Sequence, residues 1–337
     1  MLSSSFVVSI RNVPTMAETG LHMIFFGLVA AFGFFIPAAL VSAELATGWP
    51  KEGGIYSWVA EAFGKKWGFL ASWLQWTNML LSVISMLYFI GGSVAFVFAE
   101  ELAQSRIFLI AVMLAVVWIS TIISTYGIKA NSFVSTCCFL GGVLFPGILI
   151  IILGIYYVLS GNPINLNLDF TWKSIVPDFR NIGTLVLILA FTRTFTGIEA
   201  AANHAGRVNN PSRNFPLSMF IVVILGLAIN LLGAASVAIV IPAEEISLIA
   251  GIMSDFEVFF KQMGLMWVVP ILALLVAFGA AGGVNAWLLG PVKGLLATAK
   301  AGDLPPFFRK VNAYGIPTRL TITQGLIISI IGTFLLL

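Results

Sequence analysis

Apolar residues in this chain run in long stretches broken by short polar intervals, and they do not alternate with period two. A membrane-crossing helix needs ~20 mostly apolar residues, because the hydrocarbon core is ~30 Å thick and a helix rises ~1.5 Å per residue. Stretches long enough lie near 20–47, 67–99, 107–127, 133–159, 182–206, 216–241, 264–299 and 317–337, with an apolar half-span near 1–12. These segments are too long and too uniform for the strands of a membrane barrel. The pattern predicts an all-α polytopic membrane protein, a single transmembrane domain over 1–337, with little chain left for a soluble domain.

Composition agrees. The 337 residues are 59% hydrophobic and 9% charged, against about 25% charge in soluble domains. Cys137 and Cys138 are adjacent inside an apolar span and match no metal or disulfide spacing, so they read as buried hydrophobes. No basic start precedes an apolar run at the N-terminus, as a cleavable signal would require.

Charge gives the orientation. Lys51, Lys65, Lys66, Lys129, Arg207, Arg213, Lys293, Lys300, Arg309, Lys310 and Arg319 fall on one side of the predicted spans. Arg11, Arg106, Lys173, Arg180 and Lys261 fall on the other. The richer side is cytoplasmic by the positive-inside rule, so the span at 20–47 runs inward. That start, and the apolar "IIGTFLLL" at 330–337, lead us to expect a piece of a longer transporter.

One span breaks the pattern. "LAFTRTFTGIEAAANHAG" (189–206) carries Arg193 and Glu199 near its centre. Each would cost roughly 2.5–3.5 kcal/mol in a lipid-facing helix. Six residues apart, they project about 120° from one another and are poor partners. Gly197, with Thr192, Thr194 and Thr196 around it, weakens the helix further. We therefore expect a break near 192–198, its polar groups facing a midplane cavity, since irregular backbone is tolerated in a membrane only there. The alternative is a continuous helix whose Arg193 pairs with a neighbour. "SSSFVVSIRNVPT" (3–15) is the matching candidate: Ser3, Ser4 and Ser5 unwound, Phe6 to Ile10 an outer half-helix, "RNVPT" a turn. Five spans separate the two, and an odd separation gives opposite orientation, as in transporters built from inverted repeats.

Other clusters carry less. Glu18 and His22 could share a helix face, but a metal needs more ligands. His204 reads as a solvated helix end, and Glu244, Glu245, Asp255 and Glu257 as an outer acidic loop. "GGIYSW" (53–58) suits a turn against the transport path; it lacks the Gly-Lys-Ser/Thr ending of a phosphate loop. With no hydrolase elbow or zinc-protease pair, an enzyme is not expected.

Three longer motifs resemble the amino acid–polyamine–organocation superfamily of permeases. They are "ELATGWPKEGGIYSWVAEAFGKKWGFLASWLQW" (44–76), "GIEAAANHAGRVNNPSRNFPLSM" (197–219) and "GPVKGLLATAKAGDLPPFFRKVNAYGIPTRL" (290–320). "RNVPTMAETGLHMIFFGLVAAFGFFIPAALVSAELATGWP" (11–50) is most similar to the bacterial glutamate/GABA antiporter branch. The resemblance implies a five-plus-five inverted-repeat fold, here from the end of helix 1 through most of helix 9. It implies a secondary antiporter of small zwitterionic or acidic amino acids, multi-pass in the bacterial inner membrane. The expected substrate site is Ser3, Ser4, Ser5, Thr192, Arg193, Thr194, Thr196 and Gly197, with Tyr88 and Trp287 approaching the cavity or packing. Glu199 is expected in gating or proton coupling. Arg193 departs from the branch's pattern. No cofactor, metal or nucleic acid is expected; the partners are a small amino acid and the bilayer, with a homodimer allowed. A non-transporting remnant and a membrane amino-acid sensor are the competing readings.

Overall fold

The computed structural model describes residues 2–49, 53–208, 210–243, 246 and 252–337. Lys51, Glu244 and Glu245, and the side chains of His204, Arg207 and Asp255, lie outside the described residues. The described residues form helices and connecting segments, and among them eight helices are long and apolar enough to cross a membrane.

Two short helices open the chain, α1 (Leu2–Val7) and α2 (Val13–Ala17). The long α3 (His22–Gly48) and the short α4 (Ile55–Phe63) follow. Next come α5 (Lys65–Phe98), α6 (Arg106–Thr125) and α7 (Ile128–Leu159). α8 (Ile182–Thr194) leads into a 3-10 segment, Ile198–Arg207. The last elements are α9 (Pro211–Val240), the short α10 (Ile252–Gln262), α11 (Val268–Ala301) and α12 (Thr318–Leu336).

The order of lengths repeats. After the interrupted α1–α2 pair come 27 residues (α3), a 9-residue helix (α4), 34 residues (α5) and 20 residues (α6). After the interrupted α8 come 30 residues (α9), an 11-residue helix (α10), 34 residues (α11) and 19 residues (α12). With five spanning units between counterparts, the halves run in opposite directions, which is the inverted repeat. Counterparts share a defect as well. α3 and α9 each contain one π-helical turn, at Ala31–Phe35 and Ala228–Leu232. In α3, Pro37 follows the wide turn; it lacks an N–H and would otherwise clash with the carbonyl four residues back. In α9, Asn230 Nδ2 donates to Gly226 O at 2.9 Å, a side chain entering the backbone ladder.

The surface is apolar, and the largely apolar interior also holds polar side chains. Phe32, Leu40, Leu189, Phe220, Ile330 and Phe334 are exposed, whereas Gln75, Asn131, Asn203, Asn285 and Gln324 are buried. That arrangement suits lipid as solvent, because buried polar groups join helices by hydrogen bonds. Asn131 Nδ2 donates to Asn285 O at 2.9 Å and Asn285 Nδ2 to Asn131 O at 3.2 Å, clasping α7 to α11. Close by, the two backbones touch: a Cβ on Gly279 would lie 2.4 Å from the Gly142 carbonyl carbon. Gly279→Leu should therefore push α7 from α11 and cost at least ~1–3 kcal/mol, read as a lowered melting temperature in detergent.

Contacts sort the loops to two ends. Asn312 Nδ2 donates to Thr125 O at 2.7 Å, and Tyr56 Oη donates to Asp303 Oδ2 at 3.4 Å. These join the segments after α3, α6 and α11 at one end. Burial first, then Asp303, pushes the Tyr56 phenol above its ordinary value, so it keeps the donor proton. At the opposite end, Asn165 Nδ2 donates to Val240 O at 2.7 Å and Phe25 stacks edge-on with Phe179 at 5.6 Å. The first end carries the basic excess. A cysteine at position 310 should resist an impermeant thiol reagent applied to whole cells, and one at 170 should react. The reverse pattern would invert the topology.

Candidate functional site

The site forms where the two interruptions meet. In the first, the last α-type bond is Val8 N–H to Ser4 O at 2.8 Å. Val8, Ser9 and Ile10 are then non-helical, and Arg11 N–H is taken up by Ser9 Oγ at 3.3 Å. α2 restarts with Pro14 in its first turn, where a missing N–H costs nothing. This corrects the sequence reading. Ser3, Ser4 and Ser5 are helical, not unwound, and the Ser5 hydroxyl donates to Ser135 O at 3.2 Å. "VPT" is helix, not turn. A run of small polar residues looks like a break, but the backbone stays wound and the Ser5 hydroxyl points at a neighbouring helix.

In the second interruption, α8 continues to Thr194, so Thr192 and Arg193 are still helical. Phe195, Thr196 and Gly197 form the turn, with Phe195 and Thr196 N–H bonding only three residues back. Gly197 has φ +108°, which L side chains rarely adopt. Trp287 of α11 fills the space beside it: a Cβ on Gly197 would lie 2.4 Å from the indole ring. The indole Nε1–H donates to Phe6 O at 2.9 Å, satisfying a carbonyl at the end of α1, and the Phe6 ring meets it edge-on at 5.6 Å. Asn12 Nδ2 donates to Thr194 Oγ1 at 3.1 Å and ties the interruptions together directly.

Between them lies a cavity of about 590 Å³. Ser5, Tyr88, Arg193, Thr194, Thr196 and Trp287 line it, as do Ser9, Arg11, Asn12 and Ser85. It extends to Ala103 and Leu109, toward the end that carries fewer basic residues. Ser3, Ser4, Thr192, Gly197 and Glu199 are not among its lining residues. The threonine protons are used locally: Thr192 donates to Ile188 O, Thr194 to Ala190 O and Thr196 to Arg193 O. Tyr88 Oη donates to Gly332 O at 2.7 Å. The guanidiniums of Arg11 and Arg193 are therefore the strongest donors left facing the cavity.

Arg11 was missed in the sequence because it sits in a segment taken to be at the outer surface. Removing it from that side leaves eleven basic residues against four (five less one), so the orientation is unchanged. Its signal was the paired interruption itself, which places residues just past the first break beside those of the second.

Glu199 follows Gly197 by two residues and is not among the residues lining the cavity. Its Oε2 accepts Gly197 N–H at 3.1 Å, and Gln75 lies near its carboxylate. Gln75 Oε1 in turn accepts from Asn203 Nδ2 at 3.4 Å. The Gly53–Gly54 turn presses on this layer, since a Cβ at Gly54 would sit 2.5 Å from Asn203 Oδ1. Glu18 and His22 line a separate recess of about 290 Å³ with Asn165 and Asn167. Among the described residues no three His, Cys, Asp or Glu side chains gather as a metal site.

The family model for amino acid permeases matches residues 1–337. The chain belongs to the amino acid permease family. The permease is 37% identical to an uncharacterized transporter of Legionella pneumophila, over 100% of this chain and 72% of that protein. It is 35% identical to the glutamate/gamma-aminobutyrate antiporter of Lactococcus lactis subsp. cremoris, over 99% of this chain and 67% of that protein. Among solved structures, MhsT in complex with L-phenylalanine superposes with TM-score 0.64 at 17% identity, covering 98% of the permease and 77% of that chain. That likeness shows the fold. The permease is thus a membrane transporter by family, not an enzyme.

Proposed function

We propose that the permease is a secondary active antiporter of small zwitterionic or acidic amino acids. It would work by alternating access around the 590 Å³ cavity, in the bacterial cell membrane. The observation that carries this reading is a cavity built from two interrupted helices and lined by Arg193. Irregular backbone within spanning helices is the usual construction of a substrate site in such folds. The relatives named as glutamate/gamma-aminobutyrate antiporters give the substrate class its direction.

In this reading the substrate enters from the side of Ala103 and Leu109. A side-chain carboxylate pairs with the Arg193 guanidinium, whose planar fork matches it. The substrate's backbone groups meet the unwound stretch at Val8–Ile10 and the carbonyls at the second break. Trp287 and Phe6 close the far wall. Glu199, an ionisable group inside a span, serves as the proton-coupling or gating group. The test is counterflow in liposomes with the full-length protein. Glu199→Gln should flatten the dependence of exchange rate on pH while leaving exchange measurable. A mutant as pH-sensitive as the parent removes Glu199 from that role. A folded protein that moves no amino acid at all returns the sensor or remnant reading.

A further inference from the structure

Arg11 and Arg193 both line the cavity, and the described residues lining it include no carboxylate. Arg11 has one long side-chain bond, Nη1 to Ser85 Oγ at 3.5 Å, and is half-buried. Arg193 lies in the last turn of α8, where the helix carbonyls offset part of its charge. Arg11 sits in no such place. Arg193 is exposed and Arg11 half-buried, so water screens the two like charges in part, while Met86, Phe139, Val143 and Trp287 make the neighbouring wall apolar. A guanidinium carries several N–H donors in a fixed fork and no acceptor. The cavity therefore presents unmatched donors and two positive charges when no substrate is present.

We infer that the substrate-free cavity is an anion site in which Arg11 and Arg193 together hold one small inorganic anion, such as chloride, that an acidic substrate must displace. This deepens the transport reading of the same cavity: it adds Arg11 as a second ligand and makes the ambient anion a competitor. The chemistry of the lining suits exchange of one anion for another. A carboxylate and a halide both accept from the fork, and the cavity has volume for either.

The probe is radiolabelled chloride, bound to the purified full-length protein in nanodiscs in a buffer whose other solutes are zwitterions. Binding should saturate. Arg11→Gln and Arg193→Gln should each weaken it roughly tenfold or more. Arg11→Lys, which keeps the charge, should weaken it by less and so separates charge loss from misfolding. Arg106→Gln, outside the cavity, should leave it unchanged. Chloride binding that does not saturate, or that survives both glutamine substitutions, overturns the inference. Glutamate added to the same samples separates this idea from the transport reading. If chloride binds through both arginines and glutamate fails to displace it, the anion site stands and the acidic-substrate assignment falls. If glutamate binds and chloride neither binds nor competes, the assignment stands and the anion site falls.

Discussion

Gly197→Val should abolish amino-acid exchange and destabilise the protein by roughly 2–5 kcal/mol. Two terms contribute. A side chain forced to φ +108° costs ~1–2 kcal/mol or more. The added carbon would lie 2.4 Å from the Trp287 ring, and overpacking of that kind costs ~1–3 kcal/mol. The ring cannot retreat cheaply, because its Nε1–H is committed to Phe6 O. Thermal unfolding in detergent reads the stability, and liposome exchange reads the function. Gly197→Ala combined with Trp287→Phe should lose less than the two single effects added, since the smaller ring vacates the overlap. Strict additivity would mean that the glycine is needed for its backbone alone.

Arg193→Ala should reduce glutamate exchange by about tenfold to a hundredfold and neutral amino acids by much less. A charge-assisted hydrogen bond is worth ~1.5–3 kcal/mol, and each 1.4 kcal/mol is a factor of ten. Arg193→Lys should recover only part, because an ammonium keeps the charge and loses the paired geometry. Equal losses for acidic and neutral substrates would make Arg193 a structural residue, the reading in which it pairs with a neighbouring helix.

The sequence made some of this plain and hid the rest for physical reasons. The all-helical membrane class follows from uninterrupted apolar runs, because lipid demands that each spanning backbone satisfy itself. Gly197, between Arg193 and Glu199, marked a weak point in its span, although the helix holds through Thr194 and the turn occupies only 195–197. The first interruption was placed too early. Hydroxyls at Ser3–Ser5 resemble a polar gap in one dimension, whereas the backbone there is helical, Ser5 bonds to α7, and the unwinding falls on the apolar Val8 and Ile10. Glu199 and Arg193 share a polar patch in the sequence, yet Glu199 is not among the cavity-lining residues, whereas Trp287, distant in the chain, lines the cavity and abuts Gly197. No local pattern reports such a contact. The π-helical turns in α3 and α9 leave a trace only at Pro37; at Asn230 the cause is a side-chain bond that composition does not reveal.

The central claim is that substrate occupies the cavity between the two interruptions, and alkylation of a cysteine at Thr196 tests it most directly. Cys137 and Cys138 would first be replaced by alanine, since Cys137 is exposed. With Thr196→Cys as the sole thiol, in a cavity open toward Ala103 and Leu109, an impermeant maleimide should react readily. Saturating glutamate should slow that reaction by roughly tenfold, as expected when about nine sites in ten are occupied, while a cysteine at the exposed Phe170 stays unprotected. Alkylation of Thr196→Cys at the same rate with and without glutamate or any neutral amino acid that the protein exchanges would contradict the account.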